Sequence, residues 1–78
     1  MEEPILNRVM LDPAVMCGKP VVRGTRIPVE LIVRMKGQGI TDDLILKEYP
    51  RLQPDDIRAA LLYAADVLAN EAVYPALK

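Results

Sequence analysis

Lys19, Arg23 and Arg26 fall within one short stretch, and no acidic residue interrupts them between Gly18 and Val29. Guanidinium groups on either side of Gly24 would project from a constrained ribbon. Two ligand chemistries suit them. One is phosphate or the DNA major groove, where two-stranded ribbons dock and Arg pairs bidentately with guanine. The other is a carboxylate cluster on a protein partner, which the same forked donor matches. A third reading keeps these arginines inside the fold, capping carbonyls or pairing with Asp12 and Glu30.

Other residues with chemical capacity point to less. Asp42-Asp43 and Asp55-Asp56 each stand at an expected helix start, where the macrodipole favours carboxylates. Neighbouring residues on a helix diverge by about 100°, so neither pair faces a single metal ion. Cys17, alone beside Gly18, reads as a small buried residue, and no imidazole is present to activate it. The chain has no His and no Ser, which excludes a Ser-His-Asp triad and a Cys-His dyad. One Cys also excludes a disulfide framework and a Cys/His zinc cluster. The expectation is a protein without catalytic residues, metal or other cofactor.

Charge narrows the partners. Ten basic residues against eleven acidic ones give a net charge of −1, so bulk attraction to nucleic acid is not the organising force. The distribution is uneven: residues 1–36 hold six basic and four acidic groups, residues 37–78 four basic and seven acidic. The acidic start Met1-Glu2-Glu3-Pro4 lacks the basic-then-apolar order of a secretory signal. No apolar run approaches the roughly 18 residues of a membrane span. A cytoplasmic protein is expected.

The elements that position these groups follow from punctuation and period. Val21-Val22 and Ile27, around Gly24 and bounded by Pro20 and Pro28, read as two short β segments or an extended arm bent at Gly24. Ile5–Leu11 is a further candidate strand, closed by Asp12-Pro13. From Pro28, suited to the first helical position, Val29, Leu31, Ile32, Val33 and Met35 give a broad apolar helix face ended by Gly37 and Gly39. Thr41 then caps a short helix with Leu44, Ile45 and Tyr49 on one side, stopped by Pro50. Pro54 opens the longest helix, which runs to about Asn70. The fold expected is mainly α: a three-helix, helix-turn-helix-like bundle with a short N-terminal β arm or hairpin. It forms a single domain, with arm 1–27, helical core 28–70 and apolar tail 71–78.

The third helix has more apolar surface than its own core requires. Ile57, Ala60, Leu61, Ala64 and Leu68 make the expected core stripe, and Leu62, Ala65 and Ala69 make a second. A chain of 78 residues buries only about 60% of its unfolded surface, so the second stripe reads as a homodimer or partner interface. The alternative is that the β arm folds over it. Val73, Tyr74 and Leu77 in the tail would either dock on a partner or cap the chain's own core. As a DNA reader this helix is poorly equipped. Its first turn holds Asp55 and Asp56, which repel phosphate, and leaves Arg58 as a thin readout.

The stretch Gly18-Lys19-Pro20-Val21-Val22-Arg23-Gly24-Thr25-Arg26-Ile27-Pro28, with Asp12-Pro13 before it, resembles the domain-of-unknown-function family numbered 433. Gly39-Ile40-Thr41, Glu48-Tyr49-Pro50, Asp55-Asp56-Ile57 and Ala59-Ala60-Leu61-Leu62-Tyr63-Ala64 extend the likeness from about Ile5 to Ala69. The resemblance implies helix-turn-helix domains behind a β segment, many of them regarded as VapB-type antitoxins. It therefore implies a neighbouring toxin with a PIN-like ribonuclease fold and a cluster of metal-binding acids. The function expected is an antitoxin that neutralises this toxin and, as a dimer, binds operator DNA to repress its own operon. The alternative is a stand-alone dimeric helix-turn-helix regulator without a toxin.

Overall fold

The computed structural model describes residues 5–70. Val73, Tyr74 and Leu77, expected at an interface, lie outside the described residues. The chain opens with a 3-10 turn at Ile5–Arg8 and a two-residue strand β1, Val9–Met10. A second 3-10 turn, Met16–Gly18, leads to strand β2, Val21–Val22. Three helices follow: α1 Val29–Gly37, α2 Asp42–Glu48 and α3 Pro54–Asn70. This is the helix-turn-helix-like bundle with a short N-terminal hairpin that the sequence predicts. No helix among the described residues is long and apolar enough to cross a membrane.

The hairpin differs in detail from the expectation. Ile5–Leu11 is not one strand: its first half is the 3-10 turn, because Ile5 turns into the core instead of alternating along a ribbon. Strands β1 and β2 pair antiparallel, Val9 with Val22 and Met10 with Val21. The chain then reverses at Gly24, whose φ of 82° suits a residue without a Cβ. Thr25 locks this turn by donating its hydroxyl to the Val22 carbonyl at 2.8 Å, while the same oxygen accepts from the Ile27 N–H at 3.0 Å. Pro28 then forms an isolated bridge with Val21. The bridge uses the N–H groups of Val22 and Val29, so the proline's missing donor is not called upon.

Helix boundaries follow local chemistry closely. Pro28 is the N-cap of α1, one residue earlier than the first helical position, with an extended ψ of 141°. At the other end the Ile40 N–H donates to the Met35 carbonyl and the Gly39 N–H to the Lys36 carbonyl. That is a Schellman closure, with Gly39 at φ 86° as its left-handed residue. Thr41 then caps α2, its hydroxyl accepting from the Leu44 N–H at 3.2 Å. Lys36 and Asp42, 2.6 Å apart, span the same corner.

The core gathers Ile5, Val9 and Val22 from the hairpin with Val29, Ile32 and Met35 of α1, Ile45 of α2, Leu52, and Ile57, Ala59 and Ala60 of α3. Helix α3 is its spine, packing against α1 on one side and against β1 and the first 3-10 turn on another. Three expected core positions are displaced. Leu44 is 57% exposed because α2 turns Ile45 inward. On α3 the buried face runs through Asp56, Ile57, Ala59 and Ala60, whereas Leu61 and Leu68 lie outside it.

Candidate partner-binding surface

The arm's cations do not act as one group. The Arg23 Nε donates to the Asn7 carbonyl at 2.6 Å, and its backbone N–H donates to the Arg8 carbonyl at 2.7 Å. Arg23 thus ties the hairpin to the first 3-10 turn, the carbonyl-capping role. Pairing with Asp12 or Glu30 does not occur: Asp12 accepts from the Ala14 N–H, and Glu30 faces Arg34 one turn along α1. Lys19 and Arg26 are exposed, and among the described residues neither has an ion-pair or hydrogen-bond partner.

Arg51 joins the arm although the sequence does not single it out. Its Nη2 donates to the Gly24 carbonyl at 2.7 Å, which brings a further guanidinium to the loop between Arg23 and Arg26. No local signal marks this contact, because the two residues are 27 apart in sequence.

The start of α3 is an internally satisfied cluster. Asp56, buried at the third position of the helix, accepts from the Gln53 N–H at 2.8 Å, the reach-back of a capping box. Its other oxygen accepts from Arg8 Nη1 at 2.9 Å. Asp55 receives Arg8 at 3.7 Å and Arg58 at 3.3 Å. The groups that a recognition helix would turn towards bases are therefore engaged with one another, and Arg58 shares its charge with Asp55. Arg8, like Arg51, is a site residue that sequence reasoning misses, since nothing local links it to α3.

Beyond Ala60, Tyr63 still packs against the core while other faces of α3 open to solvent. Leu61, Leu62, Val67 and Leu68 are all exposed, Leu68 by 68%. Two distinct surfaces result. Tyr63, Ala64, Val67 and Leu68 face α1 across an open groove of about 670 Å³, with Val33 on its other wall and Lys19, Glu30 and Arg34 at its margins. Leu62, Ala65 and Ala69 point to the opposite side of α3, about 150° around the helix from its buried face. The arm packs on the helix's first turns and leaves that second stripe in solvent.

Cys17 is also displaced from its expected place. It is exposed, not buried, and adopts a left-handed φ of 56° beside Gly18 at 83°. Two successive left-handed residues turn the chain sharply before β2 and push the short side chain outward.

Three helices behind a short antiparallel hairpin, with exposed apolar side chains along the second half of the last helix, define a small α-rich module. The chain belongs to the family described as "Protein of unknown function (DUF433)", whose model matches residues 9–64. An uncharacterized Sinorhizobium fredii protein, y4eO, is 38% identical over 56 residues, covering 72% of this chain and 25% of that protein. An uncharacterized Archaeoglobus fulgidus protein is 52% identical over 31 residues, covering 40% of this chain and 86% of that protein. Among solved structures, a DUF433 member from Anabaena variabilis superposes with a TM-score of 0.75 at 35% identity. The match covers 81% of this chain and 62% of that one. The chain thus spans a quarter of the Sinorhizobium protein's length.

Proposed function

We propose that this chain is the antitoxin of a type II toxin–antitoxin pair, a cytoplasmic protein that binds and neutralises a PIN-like ribonuclease and represses its own operon as a dimer. It has no catalytic activity or cofactor of its own in this reading. The observation that carries the proposal is the apolar second half of α3, where Leu68 lies mostly in solvent and Leu61, Leu62 and Val67 are each partly exposed. A helix apolar on most sides belongs in a protein interior, and the described residues cover this stretch only in part. The groove between α1 and α3 would seat an apolar element of the toxin.

The exposed cations complement that surface. A nuclease centre built from metal-binding acids attracts guanidinium, which there competes with the cation that activates water. Arg26 suits this role better than Arg23, whose guanidinium is engaged with Asn7. The reading is tested by co-expressing the chain with the nuclease encoded beside it and measuring RNA cleavage. Leu68→Glu should abolish neutralisation and Arg26→Ala should weaken it. Full neutralisation by a folded double variant would remove this surface from the mechanism.

The stand-alone DNA-binding regulator is a second reading, favoured by the gathering of Arg23, Arg26 and Arg51 at the hairpin loop. It requires the arm, not the acidic start of α3, to meet DNA. Steeply salt-dependent binding of the chain alone to its own promoter, with no nuclease gene adjacent, would support it.

A further inference from the structure

The far side of α3 has a symmetry that the groove lacks. Arg58, Leu62 and Asp66 follow one another at intervals of four residues, so they form a single inclined row with the leucine in the middle. All three are exposed, and Ala65 and Ala69 flank the row without obstructing a neighbouring backbone. Arg58 and Asp66 lie about 6 Å before and after Leu62 along the helix axis. A twofold rotation that brings two such helices together antiparallel at Leu62 therefore sets each Arg58 at the level of the other chain's Asp66. The row is complementary to itself.

We propose that two copies of this chain associate through α3, antiparallel and crossing at Leu62. The two leucines meet on the axis, and two symmetry-related Arg58–Asp66 pairs close either side. The intramolecular Arg58–Asp55 contact, at 3.3 Å between exposed groups, is weak enough to be exchanged for the intermolecular one. Ala65 leaves space for the aliphatic stem of the incoming arginine. The groove between α1 and α3 faces away from this contact, so a dimer so formed keeps both grooves open. This arrangement concerns the chain by itself and stands independently of any nuclease.

One helix pair makes a small interface, so the association is weak and is followed by sedimentation over a wide concentration range. The wild-type chain should shift from monomer to dimer as concentration rises. Arg58→Glu alone sets two carboxylates against each other at both contacts, and Asp66→Arg alone sets two guanidiniums. Each should weaken self-association by about tenfold or more. Mixed in equal amounts, the two variants should regain association as a heterodimer, because both contacts are again of opposite charge. Circular dichroism confirms that each variant is folded. A wild-type chain that stays monomeric throughout, folded single variants that dimerise as wild type does, or a mixture that fails to regain association would overturn the proposal.

Discussion

Arg8 and Asp56 stand 48 residues apart in the chain and meet at 2.9 Å, joining the N-terminal turn to the first turn of α3. The carboxylate is the more buried partner, at 7% side-chain exposure against 35% for the guanidinium. The same carboxylate caps α3 through the Gln53 N–H. One residue therefore starts the longest helix and anchors the arm to it.

The asymmetry of that pair has a measurable consequence. Arg8→Ala leaves a buried carboxylate with a single backbone donor and should cost about 2 kcal/mol. Asp56→Ala removes a cap but leaves Arg8 near water, Gln53 and Asp55, and should cost about 1 kcal/mol. Urea denaturation of the two variants gives the order, with Arg8→Ala the more damaging.

Short helices depend on their ends. Helix α2 has seven residues and begins on the Thr41 hydroxyl. Thr41→Ala should destabilise the chain by about 1 kcal/mol, whereas Thr41→Ser should be close to neutral. Thermal melts at equal concentration compare them.

The core fills with aliphatic side chains, and Ile32 is fully buried. Ile32→Val should cost about 1 kcal/mol and Ile32→Ala about 2–5 kcal/mol, enough to leave a domain of this size partly unfolded. The unfolding midpoint in urea reports both.

Surface position separates Leu68 from Ile32 although both are aliphatic. With Leu68 mostly in solvent, Leu68→Gln should change the stability of the isolated chain by less than about 0.5 kcal/mol. A loss comparable to Ile32→Ala, measured in the same urea series, would mean that the leucine is covered by its own chain.

Cys17 should behave as an exposed thiol. A thiol reagent should label it fully in the native state without denaturant. Cys17→Gly should be neutral or stabilising, because the φ of 56° is strained for a side chain. The labelling rate in native buffer and a urea titration of the variant check these two points.

The helices were legible because their ends are written in local chemistry. Pro54, Thr41 and Gly39 act on backbone groups within a turn of themselves, so their roles can be read without knowing the fold. The hairpin was less so. Its two-residue strands are too short for alternation to show, and Ile5 is drawn inward by α3, a tertiary effect. The partition of α3 is hidden for a related reason. Periodicity places Ile57, Leu61 and Leu68 on one stripe, but it cannot say where α1 and the arm stop covering that stripe. Arg8 and Arg51 carry no local signal because their partners, Asp56 and Gly24, are brought near only by folding.

The central claim is that the α3 segment from Leu61 to Ala69 is a surface made for another polypeptide. Hydrogen exchange of its backbone amides tests this most directly, first in the dilute chain and then with an equimolar amount of the nuclease encoded beside it. Fast exchange in the dilute chain, slowed by at least about tenfold across Leu61–Ala69 on mixing, is the predicted result. Protection that is already complete in the dilute monomer, or that mixing leaves unchanged, would contradict the account.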